Sequence, residues 1–120
     1  MNYSQPGALR EMHWHPNADE WQYNIAGTAE MTVFLAEGEA VTEQFEAGDV
    51  GYAPMGAGHY IKNTGTDVYR ILIGFNSGHY QAIDLSEWLT GNPEALLKSN
   101  FSISGDLVQK LPSKKLFIVP

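Results

Sequence analysis

Short runs of apolar or alternating residues fill the first 75 positions of the chain, and glycine-centred turns separate them. Examples are Ala26-Gly27 and Glu37-Gly38, whose glycines tolerate the backbone angles of tight hairpins. This spacing is typical of antiparallel barrels and sandwiches. The pattern predicts an all-β domain with seven strands, at Leu9–His15, Glu20–Ile25, Ala29–Leu35, Val41–Phe45, Gly51–Ala53, His59–Asn63 and Val68–Phe75.

The pattern changes after Phe75, where two short helices are predicted. One covers Asp84–Leu89, and the other begins with Asn92 as N-cap and Pro93 at the first helical position. The C-terminal arm that follows, with its apolar stretch Leu116–Val119, either docks on a partner or frays. We therefore expect one domain over residues 1–120, with a barrel at about 6–75, a helical tail at about 84–111 and the arm at 112–120.

Composition and charge narrow the classes of function. With 120 residues, 43% of them hydrophobic and 18% charged, the chain fits one globular domain, and its apolar runs are too short to cross a bilayer. The net charge of -7 argues against a nucleic-acid partner. Because no secretory signal is visible at Met1–Ala8, we expect a cytoplasmic location. The chain contains no cysteine, so any metal must be bound by nitrogen and oxygen atoms.

A candidate metal site follows from the histidines. His13 and His15 lie two apart in a predicted strand, so both imidazoles point to the same face. Glu20 begins the return strand after a short turn, and His59 follows a loop that could bring it across the barrel. A single histidine in a strand is more often a packed or surface residue, but three imidazoles with one carboxylate suit manganese, iron, cobalt, nickel, copper or zinc. Four ligands around a six-coordinate ion leave two positions for small molecules, as a catalytic site requires.

The spacing of these residues belongs to two longer patterns. The first reads Gly7, five residues, His13, one, His15, four, Glu20, six, Gly27. The second reads Gly48, five, Pro54, one, Gly56, two, His59, three, Asn63. These are the two cupin motifs, and from about Pro6 to Trp88 the wording resembles the carboxyl-terminal cupin domain of bacterial and fungal oxalate decarboxylases.

The resemblance implies a single cupin barrel, a double-stranded β-helix or jelly roll, that binds Mn²⁺ through His13, His15, Glu20 and His59. It also implies oxalate as substrate and Arg10 as the residue that positions it by pairing with a carboxylate. Strict alternation places Arg10 on the opposite face from His13, so only a bulge or the resemblance itself puts it in the pocket rather than in solvent. Four aromatic residues are predicted either to line the cavity or, more simply, to pack in the core: Trp21, Tyr23, Tyr52 and Phe75.

The chain departs from the family where a proton donor is needed. Ile73 stands where the family domain carries glutamate, and the lid-like segment Asn76–Gln81 has no carboxylate. His79 is an alternative donor, because imidazole exchanges protons near neutral pH. Three outcomes therefore remain: weak decarboxylation of oxalate (a lyase-like activity), oxidation of oxalate as in germins, or a non-catalytic cupin that stores metal or senses a carboxylate.

A second departure concerns the start of the barrel. Only Met1–Gln5 precede the first motif, where complete cupin barrels usually have one or two strands. An exposed sheet edge invites pairing with another chain. We therefore expect a barrel that lacks its first strands to self-associate as a homodimer or a multiple of one, which would imitate a two-domain architecture.

Overall fold

The computed structural model describes residues 1–3, 5–112 and 117–119, and ten strands and three α-helices lie within them. The strands are β1 (Asn2–Tyr3), β2 (Leu9–Trp14), β3 (Glu20–Ala26), β4 (Ala29–Phe34), β5 (Ala40–Phe45), β6 (Val50–Ala53), β7 (Gly58–Asn63), β8 (Tyr69–Phe75), β9 (Ile83–Asp84) and β10 (Ile118–Val119). The helices are α1 (Leu85–Thr90), α2 (Glu94–Phe101) and α3 (Gly105–Gln109).

The strands form two antiparallel sheets, which confirms the predicted all-β cupin fold. The four-stranded sheet has the order β1-β8-β3-β6, and the larger sheet has the order β10-β2-β7-β4-β5, with β9 also paired to β2. The seven predicted strands correspond to β2 through β8, and their ends differ by no more than one residue from those observed. Glycine and asparagine turns set these limits, because each interrupts the alternation at a defined position.

Short strands from both ends of the chain lie at the sheet margins where the barrel was expected to be open. Asn2 pairs with Arg70 in β8, and Ile118 pairs with Arg10 in β2. The N-terminal ammonium of Met1 also donates to the carbonyl of Ile71 at 2.8 Å. Part of the predicted C-terminal arm, residues 113–116 and 120, lies outside the described residues.

The hydrophobic core lies between the two sheets and follows the expected alternation in β4. In that strand Ala29, Met31 and Val33 are buried, whereas Glu30 and Thr32 are partly exposed. The remaining core side chains come from both sheets and from the segments that flank them: Tyr3, Ala8, Phe45, Ala53, Ala57, Ile61, Tyr69 and Ile71.

The helical tail differs from its prediction in two respects. Pro93, rather than Asn92, is the N-cap of α2, because the amide of Asn92 donates instead to the carbonyl of Trp88 at the end of α1. A third helix, α3, was not predicted; its N-cap Ser104 accepts a hydrogen bond from the backbone of Leu107 at 3.3 Å. None of the helices in the described part of the chain combines the length and apolar character needed to cross a membrane.

Gly27 generates a first prediction, because it has a positive φ of 81° and a close neighbour. A Cβ at this position would lie 2.9 Å from the carbonyl oxygen of Val68. Gly38 has nearly the same φ, 77°, but no atom within 4 Å of such a Cβ. We expect Gly38→Ala to cost about 1–2 kcal/mol for its backbone angle alone, and Gly27→Ala to cost about 1–3 kcal/mol more because of overpacking. Urea unfolding of both variants measures the difference, and equal losses would contradict the steric argument.

Candidate metal centre

A β-bulge in β2 brings Arg10 and the histidines to the same face. Arg10 pairs with Ile61 and His13 pairs with His59, so three steps along β2 match two steps along β7. The extra residue breaks the alternation, and both Arg10 and Glu11 are buried. An inward position for Arg10 required a bulge in this strand, and the structure contains one.

Four buried side chains converge inside the barrel: His13, His15, Glu20 and His59. Their ligand atoms all lie within 4.8 Å of one another. Ligands that share one ion at about 2.1 Å lie no more than about 4.2 Å apart, so small side-chain movements would close the set around a metal. The structure brings together the four residues that the cupin motifs indicate.

Backbone carbonyls orient the three imidazole rings. The Nδ1 atoms of His13, His15 and His59 lie 2.6, 2.8 and 2.9 Å from the carbonyl oxygens of Glu11, Gln81 and Ala57, respectively. Because a carbonyl oxygen only accepts hydrogen bonds, each Nδ1 carries the proton and donates it. In the neutral rings, the Nε2 atoms are therefore left with a lone pair for a metal ion.

Glu20 lies among these rings with only 2% of its surface exposed. One carboxylate oxygen lies 3.1 Å from Nε2 of His15, and the other lies 3.3 Å from Nε2 of His59. Burial by itself would raise the pKa of Glu20, but the neighbouring imidazoles and the amide of Gln22 outweigh it and lower the pKa well below its usual range. Glu20 is therefore a carboxylate, and it can act as a metal ligand.

His13 is kept neutral by its surroundings. Burial lowers its pKa to about 3, and repulsion from His59 and Arg10 acts in the same direction. A neutral imidazole is the form that binds a metal ion, so His13 is ready to bind throughout the ordinary pH range.

The residues fit a divalent cation by a further test. Nε2 of His59 is buried and has no hydrogen-bond partner among the described residues. Neutral Nε2 atoms and carboxylate oxygens are all acceptors, so distances of 3.1–3.3 Å between them call for a positive charge, either a proton or a metal ion. Three nitrogen donors and one oxygen donor suit the divalent ions from manganese to zinc.

The segments around the site hold its ligands in register. The turn before Glu20 is tied to the segment after β8, because Asp19 accepts from the side chain of Asn76 at 3.0 Å and donates back to it from its backbone at 2.8 Å. The loop before His59 is tied to the same turn through the amide of Met55, which donates to Asp19 at 2.7 Å. The predicted lid segment is therefore bonded to the ligand-bearing turn.

A cavity of about 410 Å³ opens beside the four ligand residues. Arg10 lines it together with three of them, and apolar side chains of Ile61, Ile73 and Phe75 form part of its wall. Phe75 also packs edge-on against the ring of His15, with centroids 4.7 Å apart. Of the two alternatives predicted for Phe75, the structure shows the cavity wall rather than the core packing that was favoured.

The other three aromatic residues were placed wrongly. Trp21, Tyr23 and Tyr52 neither line the cavity nor pack in the core, because each points outward and exposes between 41 and 53% of its surface. The phase of the alternation in β3 explains the error, since Glu20 takes the inward position next to Trp21.

Sequence reasoning also missed two residues that support the site. Asp84 is fully buried and its carboxylate accepts from Nη2 of Arg10 at 2.9 Å, although in the sequence it resembles only a helix cap. Gln22 donates to Glu20, and its amide fills the space that a side chain at Gly51 would occupy. Gln22 could have been found from the sequence, because residues two apart in a strand share a face and Glu20 was already predicted to point inward.

The ligand assignment yields a prediction about metal content. We expect the parent protein to bind one divalent metal ion per chain, and His15→Ala or His59→Ala to lose it to a chelator at least about tenfold faster, because each removes one of four ligands. His79→Ala serves as control, since His79 is exposed. Elemental analysis during chelation measures the loss, and unchanged retention in either ligand variant would disprove the assignment.

Comparison with known proteins agrees with this geometry. A sequence model of the cupin family matches residues 1–109. Oxalate decarboxylase of Bacillus subtilis (strain 168) is 43% identical over 111 residues, which cover 92% of this chain and 29% of that protein. An oxalate decarboxylase of Arthroderma benhamiae is 39% identical over 118 residues, covering 96% of this chain and 27% of that protein. The chain thus spans less than a third of the length of these relatives.

Solved structures show the same likeness. The structure of the Bacillus subtilis oxalate decarboxylase at pH 4.6 superposes with a TM-score of 0.91 at 43% identity, covering 96% of this chain and 30% of that one. A structure from work on the Mn(II) centres of that enzyme gives the same TM-score, identity and coverage. With the family model matched over the barrel and most of the helical tail, the chain belongs to the cupin family.

Proposed function

We propose that this chain is a manganese-dependent cupin that acts on oxalate or a similar small carboxylate, with a lyase-like decarboxylation as its reaction. The observation that carries the proposal is the position of Arg10, whose guanidinium lines the same cavity as the ligand cluster. A cation site and a guanidinium in one cavity can hold the two ends of a dianion. The similarity to oxalate decarboxylases supports oxalate as that dianion.

Arg10 is held in place on two sides. Its Nη2 atom donates to Asp84 at 2.9 Å, and the ring of Phe117 lies over the guanidinium with its centroid 4.1 Å from Cζ. Its Nη1 atom is buried and has no hydrogen-bond partner among the described residues. This leaves Nη1 available to donate to a carboxylate that enters the cavity.

Mn²⁺ bound by the three histidines and Glu20 would supply Lewis-acid and one-electron chemistry. The residues of the chain itself supply binding and exclusion of water. Arg10 orients the carboxylate, and Ile73 and Phe75 make the cavity wall apolar, so that charge interactions inside it are stronger than in water.

Proton delivery is the weak part of this site. Among the described residues that line the cavity, Glu20 is the only carboxylic acid, and it is a ligand. Ile73 occupies the place of the family glutamate, and His79 is exposed and does not line the cavity. We therefore propose that decarboxylation is slow, with oxidation of oxalate as the neighbouring reaction.

The lack of a second carboxylic acid among the described residues that line the cavity favours a second candidate function. A cavity that binds a carboxylate beside a metal ion but lacks an acid suits a protein that binds without turnover. In that case the chain would store a metal ion or sense a small carboxylate. Binding and turnover must therefore be measured separately.

Binding is tested through Arg10. We expect oxalate to change the electron paramagnetic resonance spectrum of the Mn²⁺-loaded protein. Arg10→Lys should raise the oxalate concentration needed for this change at least about tenfold, because lysine lacks the planar fork that donates to Asp84 through Nη2 and leaves Nη1 for the oxalate. The exposed Arg70→Lys is the matched control. Manganese content should stay the same in both variants. An oxalate response that is absent from the parent, or unaffected in Arg10→Lys, would contradict the proposed role.

Turnover is tested through Ile73. General acid catalysis is typically worth about 100- to 10,000-fold, so we expect Ile73→Glu to raise formate production at least about tenfold at mildly acidic pH. Ile73→Gln is the matched control, since it adds a polar group of the same shape without an acidic proton. Formate is quantified by enzymatic assay or NMR. Fast formate production by the parent would show that another group delivers the proton.

A further inference from the structure

In two strands of the four-stranded sheet, polar or small residues point inward and large apolar residues point outward. In β3 the inward residues are Glu20, Gln22 and Asn24, whereas Trp21 and Tyr23 point outward. Strand β6 shows a related reversal, since only glycine and alanine point inward and larger side chains point outward. A sheet with one face in water normally has the opposite pattern.

The outward side chains of β8, β3 and β6 form one continuous surface, which we call the apolar face. Its six members each expose 41–63% of their surface: Trp21, Tyr23, Ile25, Val50, Tyr52 and Leu72. Strand pairing aligns them in rows, with Trp21 beside Tyr52 and Tyr23 between Leu72 and Val50. The rings of Trp21 and Tyr52 contact each other, with centroids 4.5 Å apart.

The outer face of the larger sheet is built differently. There Thr32 and Thr42 share a hydrogen bond of 2.7 Å, and the hydroxyl of Tyr60 donates to Glu30 at 3.1 Å. Gln44 also donates to Glu30, at 3.3 Å. The same sheet also exposes Phe34 and Met12, by 56% and 50% of their surface. Its outer face therefore combines a polar network with apolar side chains, whereas all six members of the apolar face are large aliphatic or aromatic residues.

The size of the apolar face matches that of a protein interface. Large side chains carry on the order of 200 Å² each, so six that are about half exposed present roughly 600 Å². The largest patch on a typical monomer measures about 300–600 Å². Two such faces in contact would bury about 1,200 Å², which reaches the lower limit of stable protein interfaces.

We propose that a second copy of this chain covers the apolar face, in a two-fold symmetric contact between the two four-stranded sheets. A two-fold contact requires a self-complementary surface. The six side chains are uncharged, and the nearest outward charge on β8 is the basic Arg70. The carboxylate of Asp19 interacts with the hydroxyl of Tyr52 on the edge strand β6. Gly74, beside Trp21, leaves an open notch in which an apolar side chain of the partner fits.

The first test measures association of the full chain by sedimentation velocity across a concentration series. We expect the parent to dimerise, and Tyr23→Lys combined with Val50→Lys to raise the dissociation constant at least about 30-fold. Thr42→Lys combined with Gln44→Lys is the matched control, because it adds the same charge to the outer face of the larger sheet. Circular dichroism and manganese content establish that both variants fold.

The second test locates the contact and uses the absence of cysteine from the chain. Tyr23 lies near the centre of the apolar face, so Tyr23→Cys should form a cross-linked dimer with a short thiol-reactive linker. Thr42→Cys should stay uncross-linked under the same conditions. Three outcomes would each overturn the proposal: a parent that remains monomeric at 100 µM, a dimer that still forms with both lysines in place, or cross-linking at Thr42 instead of Tyr23. None of these outcomes depends on whether the protein acts on oxalate.

Discussion

The buried charge of Glu20 is the constraint on which the rest of this structure depends. A carboxylate that is almost fully removed from water is unstable unless positive charge and hydrogen-bond donors surround it. The amide of Gln22 supplies one donor, and the Nε2 atoms of His15 and His59 lie 3.1 and 3.3 Å from the two carboxylate oxygens. Because carbonyl groups accept the Nδ1 protons, the remaining ring nitrogens face the carboxylate as acceptors, and the cluster is complete only with a cation.

This constraint reaches the outside of the protein through β3. With Glu20 inward, alternation requires Gln22 and Asn24 to be inward and Trp21 and Tyr23 to be outward. A register shift by one residue would bury the aromatic rings but would remove the carboxylate from the site. The metal centre and the apolar face are therefore two consequences of the same alternation in β3, and the proposed contact with a second copy would remove the exposed aromatic rings from water.

The parts of this structure that sequence could predict are those determined by local spacing. Strand limits follow from glycine turns and from the period of a strand, and the four ligand residues follow from the two cupin motifs that the sequence contains. An inward Glu20 already places Trp21 and Tyr23 on the opposite face of β3, so their assignment to the cavity wall or the core conflicted with the predicted metal site. The inward position of Arg10 depends on a bulge, and its pairing with Asp84 joins residues 74 positions apart, which no local pattern encodes.

Ile73 shows why a well-formed site does not by itself establish an activity. Ligand geometry and a positioned guanidinium provide binding, which requires only that charges be complementary in the ground state. Decarboxylation requires in addition a proton at the carbon from which carbon dioxide leaves, and a side chain without an acidic hydrogen cannot deliver it. Since Ile73 lines the same cavity as Arg10 and three of the ligand residues, the proposed decarboxylation would lack a proton donor at that position of the wall.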